Sequence, residues 1–233
     1  MKIFKVEDSR CDLHDQWWHD QDSEEKFKAN LKTAPKDWKY RTETITYRTN
    51  SYGYRTKEFN KINWKKSIVL FGCSLVFGVG VNEEDTIAAQ LSEITGQYVV
   101  NMGVCGASSQ YSVHNLSCLL SQYKPDKIVI GWSSYTRTPL YQKERVVHCG
   151  NWRDDPAMLG LAYRRYTHHG RTMLEIYQQI AKQLGMDAEF TLFDDMSLDC
   201  EYIHTIDKGR DLSHGGVQTY KKVANCIAEQ LFL

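Results

Sequence analysis

Two periods of apolar residues alternate along most of this chain. Residues 67–72, Ser-Ile-Val-Leu-Phe-Gly, form a short β-branched run that ends in small residues, the pattern of a strand buried on both faces. Residues 98–102, 127–132 and 188–193 repeat that pattern, and 202–206 is a shorter version. Between these runs the apolar positions move to helical spacing. Residues 83–95 set Ile87, Leu91 and Ile94 on one face and close at Gly96. Residues 109–123 read as a helix that stops ahead of Pro125. Residues 167–185 carry Met173, Leu174, Tyr177, Ile180, Ala181 and Leu184 as a stripe, and 215–232 form a closing helix. Residues 133–165 have no period and read as irregular.

Strands alternating with helices imply a parallel sheet covered on both faces. Right-handed crossovers then leave few topologies, of which the flavodoxin-like order 2-1-3-4-5 is the natural one. The expected fold is therefore α/β, three-layered, with a parallel sheet of about five strands. Residues 1–60 differ: they are rich in Trp, Lys, Asp and Tyr and lack a clean period. Within them, 23–31 suggests a short helix capped by Ser23, 43–49 alternates as a strand does, and 50–53 reads as a turn. The segment is expected to be an N-terminal extension packed on a main domain of residues 61–233.

Composition narrows the function. The chain has 233 residues, 42% of them apolar, enough for one domain with a full core. Lys plus Arg and Asp plus Glu both number 29, so charge offers no support for a nucleic-acid or anionic-membrane partner. No run approaches a membrane span, and the first residues lack an apolar core of signal-peptide length, so a soluble, cytoplasmic protein is expected (the host cytoplasm if phage-encoded). The seven cysteines form no Cys-x-x-Cys pair and read as reduced thiols. His14 and His19, with Asp15 and Asp20, match no metal-site spacing and read as a solvated charged face. Gly78-Val79-Gly80 lacks the rest of a dinucleotide fingerprint. No metal or organic cofactor is expected.

The chemistry concentrates at two places. Ser74 follows the first predicted strand, at the end where open α/β sheets bind their ligands. Asp211-Leu212-Ser213-His214 lies just ahead of the closing helix. A serine hydroxyl needs a base to become a nucleophile, an imidazole serves near neutrality, and a carboxylate can hold that imidazole in the useful tautomer. Ser74, His214 and Asp211 are thus candidate nucleophile, base and orienter.

Four blocks in chain order carry a resemblance. They are Gly72-Cys73-Ser74, the stretch Asn101-Met102-Gly103-Val104-Cys105-Gly106-Ala107-Ser108, then Gly131-Trp132-Ser133-Ser134, and Asp211-x-x-His214. Together the sequence over residues 45–233 resembles the SGNH (GDSL-type) hydrolases. That family usually has Gly-Asp-Ser in the first block and Gly-x-Asn-Asp in the third. Asn50-Ser51-Tyr52-Gly53-Tyr54-Arg55 looks like the segment that precedes a Gly-Cys-Ser version of the motif in a bacterial and phage branch.

The resemblance implies a serine esterase or carbohydrate O-deacylase acting on a small acyl ester or acylated carbohydrate. It implies an oxyanion site made by the N–H groups of Ser74 and Gly106, with Gly103 as the competing glycine. Ser133 stands where the family's asparagine donor would be, with Ser134 the choice if the register differs by one. Cys73 is a second candidate nucleophile. Trp132, Tyr135, Arg137, Trp152 and Arg153 could form a sugar-stacking rim or simply pack a long loop. The altered third block leaves a glycan- or protein-binding module and an O-acyltransferase as alternatives.

Overall fold

The structure, a computed structural model, describes residues 3–6, 11–142, 146–150, 152, 155, 160, 168–194, 198 and 200–232. The strands are β1 (Ser67–Gly72), β2 (Tyr98–Gly103), β3 (Lys127–Trp132), β4 (Thr138–Tyr141), β5 (Val146–Cys149), β6 (Ala188–Thr191) and β7 (Glu201–Tyr202). The helices are α1 (Glu24–Asn30), α2 (Ser74–Phe77), α3 (Ile87–Thr95), α4 (Ser109–Leu120), α5 (His168–Gln183) and α6 (Val217–Phe232). One five-stranded sheet runs β2-β1-β3-β6-β7 with every pairing parallel. Counted within that sheet the order is 2-1-3-4-5, the flavodoxin-like arrangement.

Two-residue alternation divides the core. Val69 and Phe71 of β1 join Val100, Met102, Ile128 and Ile130 beneath α4 and α5. Ile68 and Leu70 face the other way, with Val99 and Val129, onto α3 and α6. Both faces are covered, which is why each strand reads as an unbroken apolar run. Helix α3 packs on α6 and α4 on α5, completing three layers. Residues before β1 join the same cores. Ile3, Tyr54 and Phe59 enter the α4 side, while Tyr40, Ile45 and Tyr47 form a third cluster with Phe77, Val79 and Cys105.

Several elements depart from expectation. Helix α3 starts late, because Glu83–Asp85 make a separate tight turn and Thr86 caps the helix, its hydroxyl accepting from Ala89 N. Residues 43–49 bury Ile45 and Tyr47 but pair as a strand only at Tyr47, which bridges Gln16. Side chains claim the backbone before it: Asn82 takes Thr46 N and Thr44 O, and Arg55 takes Thr46 O. Residues 202–206 shorten to β7 because the Thr219 hydroxyl accepts from the N–H groups of Ile206 and Asp207. Helix α6 begins at Val217, its first turn capped by the distant Asp207 carboxylate, which takes Gln218 N and Thr219 N.

The stretch expected to be irregular contains the antiparallel hairpin β4–β5, whose Pro139 sits in a strand that pairs, among the described residues, with β5 alone. Ile94 and Ile180 belong to helical stripes yet are exposed. All seven cysteines are free thiols. Among the described residues no helix is long and apolar enough to cross a membrane, and no group of three or more His, Cys, Asp or Glu is placed to hold a metal.

Candidate active site

β1 runs straight into α2, with Cys73 as the cap residue and Ser74 as the first helical residue. The short helix is pressed against β2. A Cβ on Gly103 would lie 2.3 Å from Phe77 N, and one on Gly72 would lie 2.4 Å from Val76 Cγ2. Asn101 ties the pair together: its Nδ2 donates to Val76 O (2.8 Å) and its Oδ1 accepts from Gly103 N (2.9 Å). The helix ends at Gly78, at φ +84°. Buried Arg55 answers the carbonyls left over there, donating to Gly78 O (2.7 Å) and Val81 O (3.1 Å). Ser74 is thereby fixed at the carboxyl edge of the sheet.

His214 arrives on the loop before α6. Leu212 adopts φ +55°, and the Asp211 carboxylate folds back to accept from Ser213 N (3.2 Å) and His214 N (3.1 Å). This Asx-type turn brings a three-residue separation into contact. His214 Nδ1 lies 2.5 Å from Asp211 Oδ2, and His214 Nε2 lies 2.8 Å from Ser74 Oγ. The network fits one tautomer: Nδ1–H donates to Asp211, and the Ser74 hydroxyl donates to Nε2. Burial alone would push the Asp211 carboxyl up. The ring hydrogen bond and charge of His214, with the two backbone N–H groups, outweigh it and hold the carboxyl below its usual 3.8.

The remaining candidates separate clearly in position. Gly103 serves the α2–β2 contact. Gly106 sits at φ +80°, and a Cβ there would meet Trp152 and His148 at 3.2 and 3.3 Å. Gly106 lines a cavity of about 310 Å³, shared with Lys5, Asp20, Gln21, Tyr111 and Trp152; Ser74 and His214 lie outside that lining. Ser133 follows β3 and is wholly buried; its N–H donates to Ser109 Oγ (3.2 Å), and its own Oγ has no partner among the described residues. Ser134 is buried with its hydroxyl 3.0 Å from that of Thr136. Cys73 packs in the α4-side core.

Among the suggested rim residues, Trp132 and Tyr135 are core residues, because Trp132 Nε1 donates inward to Glu189 (2.6 Å) and both rings are buried. Arg137 lies 4.9 Å over the ring of Trp152, which is 39% exposed. Arg153 lies outside the described residues. His19 corrects the expectation of a solvated face. It is buried, with Nε2 3.7 Å from Cys105 Sγ and Nδ1 2.6 Å from Asp20. Arg210, beside Asp211, was not singled out by the pattern, yet it forms a buried ion pair with Asp22 at 2.8 Å. Nothing in a lone Arg-Asp dipeptide signals burial; the signal would have been a second buried charge far away in sequence.

No family model matches the sequence, and no curated protein does. Solved structures do resemble it. One is a member of the lipolytic protein G-D-S-L family from Veillonella parvula DSM 2008, 13% identical over 71% of this chain and 97% of that one, at a TM-score of 0.41. Another is AlinE4, described as an SGNH-hydrolase family esterase, 13% identical over 73% and 75%, at 0.34. A third is a carbohydrate esterase family 2 enzyme with a carbohydrate binding domain from Corynascus thermopiles (Myceliophthora fergusii), 14% identical over 82% and 71%, at 0.39. The fold of the present chain is assigned on its strand order and helix layers.

Proposed function

We propose that this chain is an SGNH-type serine esterase that removes a small acyl group from a hydroxylated, carbohydrate-like carrier. The observation that carries the proposal is the unbroken hydrogen-bonded series Ser74–His214–Asp211, with its single compatible tautomer. Ser74 Oγ attacks the ester carbonyl while its proton passes to His214 Nε2. Asp211 stabilises the imidazolium that forms. The N–H groups of Ser74 and Gly106 receive the developing oxyanion. His214 returns the proton to the departing alcohol, and water then repeats the sequence on the acyl-enzyme. Gly106 also borders the 310 Å³ cavity, whose lining mixes Lys5, Asp20 and Gln21 with Tyr111 and Trp152. That mixture suits hydroxyl groups and a sugar face better than a long acyl chain.

The test is hydrolysis of a short-chain nitrophenyl ester. Wild type is expected to turn over, to be labelled at Ser74 by a fluorophosphonate, and to lose roughly 10⁴-fold or more in kcat on Ser74→Ala. Equal activity of the two proteins, or an adduct on Cys73, would overturn the assignment. A second reading, a weakened SGNH domain that binds a glycan or protein, is favoured by Ser133, a short hydroxyl where a longer amide donor is usual. Absence of turnover on any ester, with ligand binding retained, would select it. An acyl-enzyme that passes its acyl group to an added alcohol faster than to water would instead select the O-acyltransferase.

A further inference from the structure

The loop that carries the base is held from behind by the N-terminal segment. Arg210 immediately precedes Asp211, and every polar group of Arg210's backbone is engaged. Its N–H donates to Gly80 O (2.8 Å), and its carbonyl accepts from Asn30 Nδ2 of α1 (3.1 Å). Its guanidinium donates to Asp22 through Nε (3.0 and 3.1 Å) and Nη2 (2.8 Å), and through Nη2 to Trp17 O (2.5 Å). The ring of Trp18 lies 4.4 Å from the guanidinium carbon. Asp22 is completely buried and also accepts from the Tyr47 hydroxyl at 2.5 Å. Tyr47 Oη in turn accepts from Gly80 N (2.9 Å). The circuit closes: Asp22, Tyr47, Gly80, the Arg210 backbone, the Arg210 side chain, and Asp22 again.

We propose that Asp22 and Tyr47 are positioning residues for the reaction, because this closed ring sets where the Asp211 carboxylate meets His214. The inference rests on the esterase reading for its rate measurement. The physical case is directionality. A buried ion pair is a poor way to gain stability, since well-packed apolar groups of similar volume serve as well. What a forked guanidinium–carboxylate pair supplies is geometry. Here the geometry is imposed one residue from Asp211. Gly80 belongs to the same arrangement: its φ of +83° strains any side chain there, and a Cβ would press on Arg210 N and Asp211 Oδ1, both at 3.0 Å. The loop's left-handed Leu212 gives it a backbone that its neighbours must hold in place.

The experiment compares wild type with Asp22→Asn and Tyr47→Phe. Asparagine keeps the shape of Asp22 but removes the charge facing Arg210. Phenylalanine removes one oxygen and leaves the ring packed on Phe77 and His19. Three quantities are read: circular dichroism for the fold, kcat and KM on a short-chain nitrophenyl ester, and the low-field proton resonance of the short His214–Asp211 hydrogen bond. With the fold retained, kcat is expected to fall by ~10²-fold for Asp22→Asn, as for a small misplacement of a catalytic group, with KM nearly unchanged. The low-field resonance is expected to broaden or vanish. Tyr47→Phe should show the same changes, smaller in size. Unchanged kcat, or a reduced kcat with the resonance intact, overturns the proposal. So does unfolding of both variants, which would make the ring a requirement of folding alone. A wild type that shows the resonance but hydrolyses no ester would refute the esterase reading, and the ring would then be judged on the resonance.

Discussion

Ser133 carries a buried hydroxyl with no partner among the described residues, at the end of the strand beside the one that delivers Ser74. Such a group costs about 1–3 kcal/mol in the folded state, and an unmet donor beside a candidate site asks for a role in the reaction. If Ser133 turns to the oxyanion only when that charge develops, Ser133→Ala removes both the cost and the donor. The expected outcome is a thermal midpoint equal to or above wild type, with kcat lowered about tenfold or more and KM unchanged. Differential scanning fluorimetry and ester kinetics on one preparation check it. A more stable variant with full activity would make Ser133 an imperfection of packing. At this scale the three side chains that the structure brings together were legible as a candidate site, a serine after a strand and Asp-x-x-His before a helix. The two glycines were not separable by type. Gly103 and Gly106 differ in what a Cβ would strike, a three-dimensional property that no local pattern encodes.

Elements were legible where burial is symmetric. β1, with both faces covered, has the expected limits, because an unbroken apolar run leaves no choice of boundary. Legibility failed where side chains from elsewhere took over backbone groups, as Asn82 and Arg55 do around Thr46 and as Asp207 does at the start of α6. It failed again at β4, a four-residue strand containing Pro139, too short to show a period. The short helix α2 gives the sharpest test at this scale. Four residues cannot hold themselves helical, so the position of Ser74 depends on α2 lying flat on β2. Gly103→Ala places a carbon 2.3 Å from Phe77 N and must push the helix away. A loss of about 1–3 kcal/mol, or more, is expected in urea unfolding. Labelling of Ser74 by a fluorophosphonate is expected to slow as well. Full stability with normal labelling would mean that α2 has slack which the structure does not show.

For the whole molecule, the sheet order followed from alternation and handedness, but the way residues 11–61 join the domain did not. The contacts that matter there, Asp22 with Arg210 and Tyr47 with Gly80, link positions far apart in sequence, and no period records them. The same packing makes a prediction about pH. Burial, the largest cause in each case, raises Tyr40, Tyr47, Tyr54, Tyr111 and Tyr220 above their ordinary 10.0. The folded chain therefore holds these protons more tightly than the unfolded chain. Their stabilisation is complete below about pH 10 and is lost as pH rises beyond it. The five losses act on one cooperative fold of marginal stability. Tyrosinate absorbance is thus expected to rise in a cooperative step that coincides with loss of circular dichroism. Tyr220→Phe refines the test, since its hydroxyl has no partner among the described residues and its removal leaves no donor unmet. That variant is expected to unfold at higher pH, with a shallower pH dependence by one proton. A smooth titration of all tyrosines with circular dichroism retained would show that the interior yields to hydroxide without unfolding, and would overturn this account of the core.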